Sequence, residues 1–271
     1  MGRSNTGPSL WWLAPTAAFL IIAFIVPVFF LFEMASDSSK GFWAELAQVW
    51  TRNHTRRALL NGVVLSAAVS TAAMLLCLPP AQLLARSRFR GRDTSRLLLS
   101  LPLAFSGVIV GFLAIVMLGR VGVIPTLSQA LFGQPYGSGL AYALPGLFLA
   151  YLFFEIPRAV LSLEAAFAKL DPELDAAART LGASRWQRWR RIKLPALWPA
   201  LAGTFATTFA VSLGSFGAAL ILSRRFFVLP VEIFTEFTAF SNDAAACAMA
   251  IWLASISALV SWGAARATAD G

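Results

Sequence analysis

The stretch Lys169–Pro195 reads KLDPELDAAARTLGASRWQRWRRIKLP, and it is the long polar interval in a chain otherwise dominated by apolar runs. Its local chemistry predicts helix, break, helix. Asp171 is a good N-cap, Pro172 suits the first helical position, and Glu173 complements the positive end of the helix dipole. Gly182 tolerates the left-handed conformation that ends a helix. Ser184 then caps a second helix, with Gln187 three residues on completing a capping box. That helix is expected from Arg185 to about Lys193, ending ahead of Pro195, because a proline disfavours helical geometry in the residue before it.

On either side of this interval lie apolar stretches of the length a membrane helix needs, about 20 residues. Six are expected, at 10–33, 58–85, 97–119, 140–163, 197–222 and 244–265, giving an all-α polytopic protein with a single membrane domain over 1–271 and a polar loop at 164–196. Of 271 residues 58% are hydrophobic and 13% charged, and the mean hydropathy is +0.70. This composition excludes a soluble domain with a polar surface. The first stretch, although Arg3 precedes it, is longer than the apolar core of a signal peptide and is read as a retained span.

The net charge of +9 does not point to nucleic acid, because the basic residues sit in the gaps between spans rather than on a face interleaved with stacking aromatics. With the N-terminus inside, fifteen of the 22 Lys and Arg residues fall on the inner side, including Arg86, Arg88, Arg90, Arg92 and Arg96 and the run Arg185–Lys193. The outer side holds Lys40, Arg52, Arg56, Arg57, Arg120, Arg224 and Arg225. This asymmetry predicts both termini in the cytoplasm.

Catalytic chemistry finds little material. Cys77 and Cys247 both fall inside apolar spans and read as small membrane-core residues. His54 is the only histidine, which excludes a multi-histidine metal site, and it reads as a polar residue before a helix. No Gly-x-x-x-x-Gly-Lys-Ser/Thr loop is present, so any ATP hydrolysis belongs to another polypeptide. No metal ligands and no resident cofactor are expected.

The loop resembles the EAA loop of binding-protein-dependent ABC importer permeases, whose pattern is Glu-Ala-Ala, three residues, Gly, nine residues, Ile, one residue, Leu-Pro. Aligned on Gly182, the match runs through Ala176, Ala177 and Ala178, then Gly182, then Ile192, Leu194 and Pro195, with every gap kept. The chain departs from the pattern where Ala176 stands for Glu, with Asp175 beside it and Glu173 nearby as substitutes. The earlier Glu164-Ala165-Ala166 has Leu170 where the glycine belongs and is given no functional role. Asn61-Gly62, Arg88-Phe89-Arg90-Gly91, Leu101-Pro102, Leu144-Pro145-Gly146 and Ser215-Phe216-Gly217 extend the likeness over 58–262. It is closest to six-span permeases importing polyamines, sulfate, thiamine, phosphonates or ferric iron.

The resemblance implies a type I ABC importer permease in a bacterial inner membrane. It also implies two copies of a separate ATPase subunit binding ATP and Mg, a second permease subunit that is a related chain, and an extracytoplasmic solute-binding protein. The coupling loop carries Asp175 to Ala178, Gly182, Ala183, Trp186, Ile192, Leu194 and Pro195, with Trp186 and Trp189 as buried anchors and the arginines as a positive rim; the bland reading of those residues is anchoring at the membrane surface.

Polar residues within spans are costly and mark candidate solute contacts. Asn61, Ser106, Thr204, Thr208, Ser212 and Ser215 are the candidates, the last four forming one helical stripe. Such a stripe lines a pathway or simply glues helices together. Glu155 and Arg158, three residues apart, read as an interfacial ion pair, with a solute role for Glu155 as the alternative. An ion-driven secondary transporter or channel is the rival class, and it predicts buried mid-membrane carboxylates and repeated halves.

Overall fold

The computed structural model describes residues 14–37, 41–87 and 89–269. Arg3, Lys40, Arg88 and the opening residues 10–13 of the first expected span lie outside them. The described residues form helices and turns with no β-strand. Six helical segments are long and apolar enough to cross a membrane: Ala14–Ser36, Asn53–Arg86, Gly107–Phe132, Leu144–Lys169, Arg185–Leu213 and Asp243–Thr268.

The chain divides into two compact units, Met1–Arg52 with Ile233–Trp252, and Asn53–Glu232 with Leu253–Gly271. In the first, helix α1 (Ala14–Ser36) packs its end on α2 (Phe42–Thr51), where the Phe32 and Phe42 rings lie 5.8 Å apart. Phe19, Ile22 and Phe24 of α1 are exposed, as lipid-facing side chains are. Within the same unit, Trp252 Nε1 donates to the Leu46 carbonyl at 3.1 Å, and Arg52 pairs with Glu236 at 3.2 Å.

The second unit contains α3 (Asn53–Arg86), α4 (Arg92–Ser100), α5 (Gly107–Leu118), α6 (Val123–Phe132), α7 (Leu144–Lys169), α8 (Pro172–Thr180), α9 (Arg185–Arg188), α10 (Leu194–Leu213) and α11 (Gly217–Leu222). Helix α12 (Leu229–Thr238) leads out of it and α13 (Asp243–Ala269) ends in it. Helix α7 is the central element, packed along α3 and against α10 and α5. One apolar cluster joins Leu65 and Val69 of α3 to Leu147 and Tyr151 of α7 and Leu222 of α11. A second joins Cys77 of α3, Leu163 and Phe167 of α7 and Leu197 of α10. Cys77 and Cys247 are both buried and unbridged.

Two expected spans are broken, for identifiable reasons. The span expected at 97–119 is interrupted after a single turn at Leu101–Ala104, and α5 starts afresh at Gly107 with Ser106 as its N-cap. Pro102 has no amide hydrogen to continue a helix, and the Ser106 hydroxyl accepts from Ile109 N. The span expected at 197–222 ends at Leu213 and resumes as α11, because Gly214, Ser215 and Gly217 favour helix weakly. The break costs backbone hydrogen bonds, and Tyr151 Oη restores one by donating to the Ser215 carbonyl at 2.7 Å. The two breaks meet: a Cβ on Gly217 would lie 2.9 Å from Val108 N, and one on Gly107 would lie 3.2 Å from Ala218 N. Only residues without side chains let these backbones touch.

His54 lies inside α3 rather than before it, and its Nδ1 sits 3.0 Å from Glu232 Oε2. The second helix of the polar loop also departs from expectation, since it does not stop before Pro195. Residues Trp189–Lys193 form a π turn that carries α9 directly into α10. Leu194 N–H donates to the Trp189 carbonyl five residues back. The wider turn accommodates a proline ring that would collide with an i−4 carbonyl in a regular helix.

Candidate functional site

The loop between α7 and α10 is built by its own capping chemistry. Asp171 Oδ1 accepts from Glu173 N at 2.8 Å, with Pro172 opening α8. Helix α8 ends in a Schellman pair, Gly182 N–H to the Arg179 carbonyl and Ala183 N–H to the Ala178 carbonyl, each 3.0 Å, with Gly182 at φ +78°. The Ser184 hydroxyl accepts from Gln187 N at 3.2 Å, and the Gln187 side chain accepts from Ser184 N at 2.9 Å, closing the capping box. The hairpin is therefore a preformed element.

Asp175 occupies its inside corner. Its carboxylate lies 3.1 Å from Arg188 Nη1, 3.4 Å from Lys193 Nζ and 3.7 Å from Arg179 Nη2. These contacts use Asp175 to hold α8 against the following turn. Glu173 is exposed. Ala176 and Ala177 are exposed, Ala178 and Ala183 half-buried. Trp186 is 66% exposed, and Leu174 and Leu181 join it as outward apolar side chains. Trp189 turns the other way and stacks on Phe167 with ring centroids 6.3 Å apart. Leu194 packs on the same cluster, Ile192 is half-buried and Pro195 exposed. The two tryptophans thus divide between an outward face and an attachment to α7.

Glu164, given no role on motif grounds, is a buried structural centre. It accepts from Arg96 Nε at 2.9 Å and from Arg96 Nη2, while Arg92 Nη2 lies at 3.7 Å. That hydrogen-bonded carboxylate holds the Arg96 guanidinium above its ordinary pKa. Arg86 Nη2 also donates to the Leu170 carbonyl at 3.2 Å, fixing the start of the loop. The readable signal was a carboxylate within an apolar span, which calls for a partner without naming it.

The six candidate solute residues separate. Asn61 Nδ2 donates to the Phe227 carbonyl at 3.2 Å. The Thr204 hydroxyl is 2.7 Å from that of Ser162, bonding α10 to α7, and Thr208 donates to its own helix at the Thr204 carbonyl. Ser106 caps α5. Ser212 and Ser215 line a cavity of about 390 Å³, together with Glu155, Arg158, Gly107 and Tyr151. Glu155 is 2% exposed and takes Arg158 Nη1 at 2.9 and 3.0 Å on its two oxygens.

Membrane-spanning helices with interrupted spans and a capped polar hairpin make a polytopic membrane subunit. Residues 78–267 match the family described as binding-protein-dependent transport system inner membrane component. The chain belongs to that family and is the permease subunit of an ABC importer. It is 32% identical to the molybdenum transport system permease protein ModB of Mycobacterium tuberculosis over 248 residues, 90% of this chain and 91% of the relative. It is 34% identical to ModB of Escherichia coli over 212 residues, covering 74% and 91% of the two chains. Among solved structures it resembles a chain of a bacterial alginate ABC transporter in complex with alginate pentasaccharide-bound periplasmic protein. The TM-score is 0.78 at 19% identity, over 94% of this chain and 92% of that one.

Proposed function

We propose that this permease carries a molybdenum oxyanion across the inner membrane, both termini lying in the cytoplasm. The hairpin 171–195 docks on a separate subunit that binds ATP and Mg. A second, related permease subunit completes the pathway, and an extracytoplasmic binding protein delivers the solute. The observation that carries the coupling is the rigid, doubly capped hairpin with Trp186, Leu174 and Leu181 outward and Trp189 anchored on Phe167. A cleft closing on such an element moves α7 and α10, to which it is covalently joined, as a rigid body. Asp175 is committed to Arg188 and Lys193, so the contact falls to the outward apolar side chains and the exposed Glu173. The two ModB relatives, at 32% and 34% identity, support the choice of solute.

The test co-expresses the chain with its neighbouring genes and purifies it in detergent, comparing wild type with Gly182→Pro. Proline cannot adopt the positive φ of this position. Retention of an ATPase subunit by wild type, and its loss from a still-folded variant, is the expected result; a wild type that retains no ATPase overturns the coupling.

A further inference from the structure

Arg158 stands near the middle of α7, about 21 Å along the axis from Leu144 and about 17 Å from Lys169. A guanidinium within a membrane-spanning helix is costly, and it persists where it faces a partner or a polar cavity. Here it has both. Glu155 occupies Nη1 alone, and among the described residues no acceptor takes Nε or Nη2. The Arg158 side chain is 33% exposed and lines the cavity between α7 and the two broken spans.

The other walls of that cavity offer donors. Helix α5 begins there at Gly107, and the first amides of a helix have no intrahelical acceptor, leaving Gly107 N–H at the positive end of a twelve-residue helix. The Ser212 hydroxyl is buried beside the Glu155 carboxylate without a hydrogen bond of ordinary geometry. Broken membrane helices whose half-helix N-termini face a cavity between spans are suited to anionic groups.

We infer that this cavity is a transient binding site for the imported anion, with the free edge of the Arg158 guanidinium as its principal donor. The guanidinium edge matches two oxygens of a tetrahedral oxyanion. Glu155 does two things: it orients the guanidinium through both oxygens, and it offsets one positive charge. An anion is then held loosely enough to leave again, as conduction requires. This inference rests on the proposed import of an oxyanion.

The test uses the assembled importer, with its ATPase and binding protein, in proteoliposomes. Uptake of radiolabelled molybdate, with sulfate in parallel, is measured per assembled complex. Arg158→Gln is expected to lower uptake by roughly tenfold or more, the loss of charge-assisted hydrogen bonds to the solute. Glu155→Gln/Arg158→Gln removes both charges and leaves no unpaired buried ion, so a pair that only packs helices predicts restored uptake. Uptake that stays low in the double variant supports anion binding; uptake restored there, or unchanged in Arg158→Gln, overturns it. Where the single variant fails to assemble, the double variant decides alone. Wild type that imports neither anion overturns the oxyanion reading itself and this site with it, whereas import by wild type with full uptake in the double variant overturns only the site.

Discussion

The Asp175 carboxylate and the Arg188 guanidinium, thirteen residues apart on two helices, lie 3.1 Å from each other with side-chain exposures of 18% and 11%. A half-buried pair of this kind holds the angle between α8 and the chain that re-enters the membrane as α10. Lys193 adds a second cation at 3.4 Å, while the contact from Arg179, exposed over most of its length, adds little. Asp175→Ala leaves Arg188 and Lys193 facing each other without a counter-charge. It is expected to destabilise the hairpin by about 1–3 kcal/mol. Limited proteolysis of the loop, faster in the variant than in wild type, measures this; an unchanged rate would show that the pair does not set the hairpin.

The two tryptophans of the loop separate docking from folding. Trp186→Ala removes an exposed ring and is expected to leave the thermal midpoint of the purified permease unchanged while weakening retention of the ATPase subunit. Trp189→Ala removes a ring stacked on the buried Phe167 and is expected to lower stability, with about 0.5–1.5 kcal/mol of the loss from the ring pair itself. Thermal unfolding beside a pull-down distinguishes them, and equal behaviour of the two variants contradicts the division.

Glycine at 217 answers a close approach of two backbones. A methyl group there would come within 2.9 Å of Val108 N, an atom that cannot swing aside. Gly217→Ala is expected to destabilise the second unit by about 1–3 kcal/mol. It is also expected to reduce transport, because the displaced backbone borders the Arg158 cavity. Unfolding in mild detergent reads the first effect and proteoliposome uptake the second; a fully stable variant would mean that the two breaks are not in contact.

Glu164 and Arg96 form the tie between α4 and α7. Each of Glu164→Gln and Arg96→Gln is expected to lower the thermal midpoint, and the double variant to lose less than the sum, since each change strands the other partner. Additive losses would assign the two residues to independent roles.

Much of the loop was legible because its signals are local. Asp171, Gly182, Ser184 and Gln187 act on amides at most five residues away, so their order along the chain suffices to place the caps. The six spans were legible for a related reason: transfer to lipid is a property of each segment's own composition. Their exact ends were less so. The breaks at Phe105–Ser106 and Gly214–Phe216 lie inside runs apolar enough to be continuous helices, and they exist because Tyr151, Gly107 and Gly217 make them tolerable across the bundle.

The amino-acid sequence by itself determined the membrane class, the number of spans, the capped hairpin and the left-handed turn at Gly182, since each follows from hydropathy or from neighbours along the backbone. The tertiary structure alone decided that Glu164 meets Arg96 across 68 positions of chain, that Asp175 turns inward while Trp186 turns outward, and that Arg158 opens onto the cavity between two broken helices. Charge pairing and cavity formation depend on which helix faces come together. That choice is made by the packing of α3, α5, α10 and α11 around α7, and no interval along the chain encodes it.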